Sequence, residues 1–292
     1  MVTLALQLQQ FITLSLLLVI GLFAGAVCLP WYGIAILICF AWFWEHLFLY
    51  LKFSRLSFFS YSAASTTLGI TLMMASTHIW IYGVVIIAAL LQKHFLLLGK
   101  RHCFNPSNFA LIIGLLFFYD STHIVLGQLG DEVWLAWVLV ALALPVLYRA
   151  ERWIIPLVFA LSYLFLQYSI VIQYDPMMLF ESVYFRFYSV SFLLFVFFML
   201  TDPVTTPAIP WRQMLFAFLT ALGAVLLDYS VGFRAQHLFM SLFLLTPVFR
   251  LWDTWGQTRY KERFQALTVV LLALGAIIYI EMQPPYYFEM DG

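Results

Sequence analysis

The chain has 292 residues, of which 64% are hydrophobic and only 10% are charged. An ordinary soluble domain carries about 25% charged residues, and a soluble fold of this length could not bury so much apolar surface. The composition therefore excludes a typical soluble enzyme and predicts an integral membrane protein surrounded by lipid. Fourteen Lys plus Arg balance fourteen Asp plus Glu, so the net charge gives no reason to expect a nucleic-acid partner.

Eleven apolar runs reach or approach the length of about 20 residues that a membrane-spanning helix needs. They are continuous rather than alternating, which favours helices over the strands of a membrane barrel. The first run has no basic region before it, so we expect a retained first helix rather than a cleaved signal peptide. The predicted fold is an all-α, polytopic transmembrane helical bundle of about 10–11 spans, a single membrane domain over residues 1–292. The runs lie at about 11–29, 31–50, 57–75, 79–97, 107–120, 133–148, 153–171, 184–200, 213–227, 235–250 and 264–281.

Lysines and arginines concentrate in alternate loops, as the positive-inside rule requires of a multi-pass protein. They follow the even-numbered runs, whereas the loops Asp120 to Glu132 and Asp175 to Glu181 and the carboxyl-terminal tail are acidic. This alternation predicts a cytoplasmic amino terminus, and we expect the chain in the bacterial inner (cytoplasmic) membrane. The basic residues concerned are Lys52, Arg55, Lys93, Lys100, Arg101, Arg149, Arg152, Arg212, Arg250, Arg259, Lys261 and Arg263.

Two proline motifs interrupt the apolar pattern on the predicted cytoplasmic side, Phe104-Asn105-Pro106 and Thr201-Asp202-Pro203. The residue before a proline favours extended or turn backbone, and interrupted backbone at membrane depth is tolerated where protein buries it or a cavity adjoins it. Two breaks in corresponding places mark substrate sites in transporter-like proteins. The alternative is that Asn105 and Asp202 only cap helices that begin at Pro106 and Pro203.

Polar and basic residues around these two motifs are the candidate site residues. The loop of the first motif could hold an anion beside a helix amino terminus, although its lysines would serve equally to keep the loop inside. The loop of the second motif offers oxygen atoms that could bind a cation or cap a helix. The candidate binding residues are Lys100, Arg101, His102, Phe104, Asn105, Pro106, Asn108, Thr201, Asp202, Thr205 and Thr206.

Ionisable residues within the runs are further candidates. Glu45 lies inside the second run and is expected to pair with a basic residue of the 93–102 loop, while Asp228 and Arg234 are expected to pair with each other. The three scattered cysteines have no metal-ligand spacing, so we interpret them as apolar filler and predict no metal site. Histidines toward both ends of the bundle give haem ligation as a weak alternative, through His46, His94, His78 and His237.

The segment KHFLLLGKRHCFNPSNFALIIGLLFF, together with the later MLTDPVTTP and VGFRAQHLFMSLFLLT, resembles a known family. It is similar to the D subunit of the Rnf electron-transport complex and to the B subunit of the sodium-pumping NADH:quinone reductase. The order and spacing agree over roughly residues 10–250, which leaves the helix at about 264–281 as an extra element. The chain resembles in particular the shorter members of this RnfD/NqrB-like superfamily that occur beside enediyne-type biosynthesis clusters.

The resemblance implies a core of about ten helices, a bound flavin, and electron transport within a multi-subunit redox complex, coupled in some members to ion transport. The larger members attach FMN covalently at an S-G-A-T type motif, which this sequence lacks. The expected cofactor is therefore a non-covalent FMN or riboflavin. The matching positions that would line or shape its site are Phe104, Asn105, Pro106, Thr201, Asp202, Pro203 and Thr206.

Three functions are compatible with the sequence. The first is a membrane redox subunit that binds flavin and passes electrons within a multi-subunit complex, with quinone as a candidate partner. The second is a transporter or channel for a small solute or an ion, since broken helices with polar ends would serve that function equally well. The third is a non-catalytic assembly subunit that holds a partner enzyme at the membrane.

Overall fold

The computed structural model describes residues 2–23, 27–54, 60–98, 101–125, 133–173, 180–254 and 260–284. These residues form twelve α-helices and four short strands, which confirms the predicted all-α bundle. The helices are α1 (Val2–Phe23), α2 (Trp31–Phe53), α3 (Tyr61–Met73), α4 (Ile79–Phe95), α5 (Pro106–Phe117), α6 (Val133–Ala150), α7 (Ile154–Leu166), α8 (Phe180–Arg186), α9 (Val190–Leu194), α10 (Pro210–Val231), α11 (Gln236–Thr254) and α12 (Tyr260–Glu281).

Helices with the length and composition of membrane spans make up much of the bundle. Large apolar side chains cover its outside, with Phe23 90% exposed and Tyr148 80% exposed, which suits lipid-facing positions and not the surface of a soluble protein. Each of the eleven apolar runs overlaps a helix. The chain is therefore a multi-pass membrane protein, and the count of eleven spans stays a prediction. Four shorter apolar helices accompany five that are long and apolar enough to cross a bilayer, namely Trp31–Phe53, Val133–Ala150, Ile154–Val171, Pro210–Val231 and Glu262–Glu281.

The eighth run does not form the continuous helix predicted at 184–200. Helix α8 ends at Arg186, and α9 begins at Val190 after Ser189 adopts an extended backbone with φ −67° and ψ 124°. No proline or glycine marks this break in the sequence, which is why the apolar pattern predicted an unbroken span. The chain continues from α9 as a π-helix, Phe195–Met199, and wide turns of this kind are frequent at functional sites.

Helices α1–α5 pack against one another in the same pattern as α6, α7, α9, α10 and α11. Helix α1 contacts α3 as α6 contacts α9, α2 contacts α4 as α7 contacts α10, and α4 contacts α5 as α10 contacts α11. Counterparts also meet between the two sets, α1 with α6, α3 with α9 and α5 with α11. The bundle is therefore a repeat of two five-helix halves. An odd number of helices in each half reverses the chain direction, and Arg149 at the end of α6 accordingly bonds to Gln9 near the start of α1.

Four short strands, which the sequence did not predict, close the helix ends at two places. Strand β1 (Met74–Ser76) follows α3 and pairs antiparallel with β4 (Thr122–Ile124), which follows α5. Strand β2 (Leu97–Leu98) pairs antiparallel with β3 (Arg101–His102) in the connection from α4 to α5. The strands satisfy backbone groups that the helix ends leave unpaired. The first pair also joins two loops that the charge pattern places on the same, outer side.

Candidate functional site

Asn105 forms one wall of the candidate site because it ends the connection from α4 to α5 and starts α5. Its backbone is extended, with φ −60° and ψ 127°, and its side-chain Oδ1 accepts a hydrogen bond of 3.1 Å from the backbone N–H of Asn108. Pro106 occupies the first turn of α5, where its missing N–H would have had no helical partner. The predicted capping role of Asn105 is therefore confirmed.

The start of α5 lies well inside the bundle. Arg250 Nη2 donates to the Leu98 carbonyl at 3.3 Å, whereas Asn108 Nδ2 donates to the Phe239 carbonyl at 3.2 Å. Both partners belong to α11, and the interval from Phe239 to Arg250 corresponds to about 16 Å of helix. The connection between α4 and α5 therefore runs inward along α11, and the helix break at Asn105 lies at depth in the bundle.

The second proline motif forms a turn rather than the helix predicted to begin at Pro203. Asp202 Oδ1 accepts a hydrogen bond of 3.0 Å from the Val204 N–H, and the Asp202 carbonyl accepts bonds from the N–H groups of the two threonines that follow. Helix α10 begins later, at Pro210. The prediction that Asp202 caps a helix was wrong, because its carboxylate and its backbone carbonyl both serve to close a compact turn.

Arg152 fixes this turn from the connection between α6 and α7. It is buried, its Nε donates to Thr206 Oγ1 at 3.0 Å, and its Nη1 donates to the carbonyls of Ala150 and Glu151. Thr206 Oγ1 in turn donates to the Asp202 carbonyl at 2.7 Å. Burial lowers the pKa of Arg152, and the nearby charges of Glu151 and Asp202 oppose this effect. The guanidinium group therefore stays charged and connects α6 to the turn.

The two motifs meet at a cavity of about 220 Å³. Asn105 Nδ2 donates to Asp202 Oδ2 at 3.4 Å, although the two residues are distant in the sequence. The sequence predicted the two motifs to lie at corresponding positions, and this was wrong. One motif precedes α5, whereas the other follows α9, the counterpart of α3, so the two are not equivalent positions of the repeat. Their meeting is a consequence of how the two halves pack. The predicted site residues that line this cavity are His102, Asn105, Pro106, Thr201, Asp202 and Pro203.

Among the described residues, the other predicted site residues do not line the cavity. Phe104 is buried and stacks on Phe243, with ring centroids 4.4 Å apart. Arg101 is exposed, and Lys100 lies outside the described residues. Buried behind the cavity wall, where they hold the two turns in shape, are Asn108, Thr205 and Thr206.

Several polar residues that line the cavity were missed by the sequence analysis. Gln7 and Gln10 are three positions apart in α1, and the three hydroxyl residues of α3 have spacings of three and four, so each set lies on one helix face. Such polar stripes in otherwise apolar helices were the signal that could have identified them. The missed residues are Gln7, Gln10, Ser62, Ser65, Thr66, Ser107 and Lys93.

An ion pair fixes Lys93 at the cavity. Glu45 Oε1 accepts a hydrogen bond of 2.6 Å from Lys93 Nζ, Glu45 Oε2 lies 2.7 Å from His94 Nε2, and Ser60 Oγ donates a third bond of 3.3 Å. Glu45 is buried, so these contacts offset its loss of hydration. The predicted pairing of Glu45 with a basic residue of the 93–102 loop is confirmed. The cavity therefore contains a fixed ammonium group as well as the Asp202 carboxylate.

Ser65 provides a buried polar group that is available to a ligand. Its side-chain Oγ has no hydrogen-bond partner within the part of the chain that the structure describes. The residue is 6% exposed and lines the cavity. A buried polar group without a partner costs about 1–3 kcal/mol, and native proteins satisfy most such groups. The cavity therefore has the character of a binding site for a molecule with polar atoms.

His102 adds a neutral imidazole to the cavity lining. Its Nδ1 lies 2.8 Å from the Phe104 carbonyl, so the ring proton is on Nδ1. Burial lowers the pKa of His102, while the charge of Asp202 opposes the effect. At neutral pH the ring is therefore uncharged and its Nε2 is a hydrogen-bond acceptor. In the adjacent residue, burial raises the pKa of the Cys103 thiol to about 12, which agrees with its interpretation as apolar filler.

The four histidines proposed as haem ligands have other contacts. His94 Nε2 faces a carboxylate, and both ring nitrogens of His237 face carboxylates. His78 stacks on a tryptophan ring, and His46 Nδ1 lies 2.6 Å from a backbone carbonyl. None of the four histidines lines the cavity of about 220 Å³, so the cavity gives the haem alternative no support. Within the described ranges, no group of three or more His, Cys, Asp and Glu residues is placed to hold a metal ion.

The fold and the cavity together define a multi-pass helical membrane protein with an inverted repeat and a polar cavity at a helix break. Residues 116–252, a little under half of the chain, match the family model described as the NQR2, RnfD, RnfE family. The match confirms the resemblance to the RnfD/NqrB superfamily and indicates a membrane subunit of Rnf/Nqr-type complexes. It includes the turn at Asp202, whereas Asn105 lies outside it. No curated protein matches the chain.

Proposed function

We propose that this chain is a membrane redox subunit that binds FMN or riboflavin non-covalently in the cavity between its two halves. The observation that carries the proposal is the meeting of Asn105 and Asp202, at 3.4 Å, on the wall of a polar cavity. The family match supports a role within a multi-subunit complex of the bacterial inner membrane. Electron transfer is the function that follows, because a bound flavin supplies that chemistry.

The cavity has the polar and apolar groups that a flavin ring requires. One edge of the isoalloxazine ring alternates carbonyl oxygens with an N–H group, and the other edge is apolar. The Asp202 carboxylate offers an acceptor, while the Asn105 amide and the Lys93 ammonium group offer donors. Phe197 and Phe198, from the π-helix, contribute apolar surface. We therefore assign the polar edge of the ring to the side of the cavity formed by the two turns.

The size of the cavity fits the ring rather than a whole cofactor. Ligand pockets usually measure about 300–1,000 Å³, whereas this cavity measures about 220 Å³. We expect the ring to fill it and the ribityl chain to leave it past Gln7 and Pro203, two exposed residues of its lining. This placement suits both FMN and riboflavin, since they differ only at the end of that chain.

The lining residues then have separate tasks. Asn105 and Asp202 orient the ring, and Glu45 holds the Lys93 ammonium group where it stabilises negative charge in the cavity. His102 Nε2 is placed to accept a proton within the cavity. The family resemblance supports a quinone as electron partner and ion transport as a coupled process.

An absorption spectrum tests the proposal. The detergent-purified chain is incubated with riboflavin or FMN, separated from free flavin, and measured before and after dithionite. We expect a visible flavin band that dithionite bleaches, and we expect acid precipitation to release the flavin into the supernatant. Flavin that remained with the precipitate would contradict non-covalent binding, and a colourless protein would contradict flavin binding altogether.

The Asp202→Asn variant tests the location of the flavin. Its remaining amide oxygen can still accept the Val204 N–H and close the turn, but the charge and the acceptor for Asn105 are lost. Hydrogen bonds to charged groups contribute about 1.5–3 kcal/mol, so we expect flavin binding to weaken roughly ten- to hundredfold. Asp120→Asn, at an exposed position after the far end of α5, is the matched control. Equal affinities of the two variants would place the flavin elsewhere.

Transport of a small solute or ion is a second candidate function, favoured by one observation. A smaller cavity of about 20 Å³ continues from the first and reaches Met73 and Leu194. A volume of this size holds about one water molecule, so space for a small solute extends beyond the first cavity towards Met73 and Leu194. Flux of solutes or cations into proteoliposomes without flavin would favour transport. The residues that both cavities share are Gln10, Ser65, Asn105, Ser107 and Phe198.

A further inference from the structure

A second buried polar cluster lies away from the cavity, where α10, α11 and α12 meet. The Asp228 side chain at its centre is fully buried, accepts a hydrogen bond of 2.5 Å from Gln167 Nε2, and lies 3.5 Å from Arg186 Nη1. Arg234 donates its backbone N–H to Asp228 at 3.2 Å. Its guanidinium group, however, pairs with Glu281 of α12 at 3.3 Å. The expected ion pair between Asp228 and Arg234 was therefore wrong, because α12 provides a different partner.

His237 lies between the two carboxylates of this cluster. Its Nδ1 is 2.6 Å from Asp228 Oδ1, its Nε2 is 3.3 Å from Glu281 Oε1, and its side chain is fully buried. A neutral imidazole has one N–H, and with that proton on Nδ1 the Nε2 atom would lie unprotonated 3.3 Å from a carboxylate oxygen, a contact at ion-pair distance without hydrogen-bond geometry. An imidazolium ion carries a proton on each nitrogen and is attracted to both carboxylates. The geometry therefore favours an extra proton in this cluster, beyond those of a neutral histidine between two ionised carboxylates.

The other charged and titratable groups around His237 do not remove the need for this extra proton. Arg186 faces Asp228 Oδ2 and Arg234 faces Glu281 Oε2, so neither guanidinium contacts the oxygen that faces the histidine. Two phenols complete the surroundings. Tyr163 of α7 donates to Asp228 Oδ2 at 3.4 Å, and Tyr119 lies beside the Glu281 and Arg234 charges. Asp228 Oδ1 also accepts the Arg234 backbone N–H, and Glu281 Oε1 accepts the Gln236 amide, but both donors are uncharged. The positive charge that faces these two oxygens therefore comes from a proton on His237.

We propose that His237, Asp228 and Glu281 form a proton-binding site that stabilises the packing of helix α12 against the rest of the bundle. Glu281 is the last residue of α12, and this helix lies beyond residue 252, where the family match ends. The additional helix therefore supplies one of the two carboxylates that hold the proton. Loss of the proton removes the attraction between Glu281 and His237 and leaves Arg234 and Gln236 as the remaining bonds to Glu281. This site is independent of flavin binding.

The protonation state of His237 can be measured directly by ¹⁵N NMR. Ring nitrogens with and without a proton differ in chemical shift, so the detergent-purified full chain is labelled at the histidine rings. The His237→Gln variant identifies the signals of this residue by their loss. We expect two protonated nitrogens near neutral pH and one at alkaline pH. An unprotonated nitrogen at about pH 6, below the usual titration of histidine, would overturn the proposal.

A stability measurement with Glu281→Gln tests the same site through its helix. The glutamine amide can donate to Nε2 of a neutral imidazole whose Nδ1 still donates to Asp228, so this variant no longer needs the extra proton. In the wild type, the thermal midpoint should fall as the pH rises from about 6 to about 9, because the folded chain gives up a proton that stabilises it. In Glu281→Gln this fall should be smaller, by on the order of a few degrees.

A matched control separates this effect from the general response of the protein to pH. Arg149→Gln removes an exposed side-chain contact to Gln9 between α6 and α1, far from α12 in the contact pattern. Its pH profile should follow that of the wild type. If Glu281→Gln also followed the wild type, the extra proton would have no role in holding α12, and the proposal would be overturned.

Discussion

Gly69 is the position where the packing of α3 on α5 can be tested most sharply. A Cβ atom at this residue would lie 2.8 Å from Ser107 Oγ and 3.3 Å from Ser107 Cβ. Ser107 Oγ also donates to the Thr66 carbonyl at 3.2 Å, and Ser107 lines the cavity. The Gly69→Ala variant should therefore push Ser107 from its place, break that hydrogen bond, and disturb the cavity wall.

The expected change in stability combines one favourable and two unfavourable contributions. Alanine is favoured over glycine inside a helix by about 1 kcal/mol. Overpacking of a tight contact costs about 1–3 kcal/mol, and the displaced, buried hydroxyl costs about 1–3 kcal/mol more. The expected result for Gly69→Ala is a net loss of stability of about 1–5 kcal/mol. Gly275→Ala, in α12, is the control, because a Cβ there meets nothing within 4 Å, and it should be neutral or slightly stabilising.

Thermal unfolding in detergent at a fixed scan rate would measure the difference, which should be roughly 5–10 °C between the two variants. Flavin binding should weaken in Gly69→Ala and stay unchanged in Gly275→Ala. Adding Ser107→Ala to Gly69→Ala removes the clashing oxygen, so the double variant should recover most of the lost stability. A Gly69→Ala protein as stable as Gly275→Ala would refute the close packing on which the cavity wall depends.

Two further predictions concern residues near the cavity. Arg152→Lys keeps the charge but loses the planar group that bonds to Thr206 and to two carbonyls, so flavin binding, measured by fluorescence quenching, should weaken by about tenfold. Arg149→Lys at an exposed position should bind normally, and equal affinities would contradict a role for Arg152. Cys103 is buried with a thiol pKa of about 12, so a membrane-permeant maleimide should label it, by mass spectrometry, only after unfolding. Labelling of Cys103 in the native protein would contradict its burial.

Local patterns predicted those parts of the fold that depend on neighbouring residues. The apolar runs identified the helices because a chain in lipid must satisfy its backbone within each segment. The cap at Asn105 followed from the order of an amide, a proline and an apolar run. The partner of Glu45 was predicted because both groups were expected at the same end of the bundle, where a buried carboxylate needs a cation.

The parts that depend on distant contacts could not be predicted in this way. Ser65 is a small residue in a helix, and its sequence context does not show that its hydroxyl faces a cavity. Asp202 has the sequence of a helix cap, but Arg152 and Thr206 stabilise a turn at this position instead. The pairing of Arg234 with Glu281 depends on where α12 packs. In each case the local sequence was compatible with more than one arrangement, and contacts with distant residues determined which arrangement formed.

The two buried carboxylate clusters show how a repeated scaffold can be used asymmetrically. Glu45 and His94 lie at the ends of α2 and α4, while Gln167 and Asp228 lie at the ends of their counterparts, α7 and α10. Because the halves are inverted, these similar clusters lie on opposite sides of the bundle. The first cluster presents Lys93 to the cavity, whereas Glu281 of α12 covers the second. Within the part of the chain that the structure describes, the first side therefore offers an open polar site, and removal of α12 would expose a charged site on the other side.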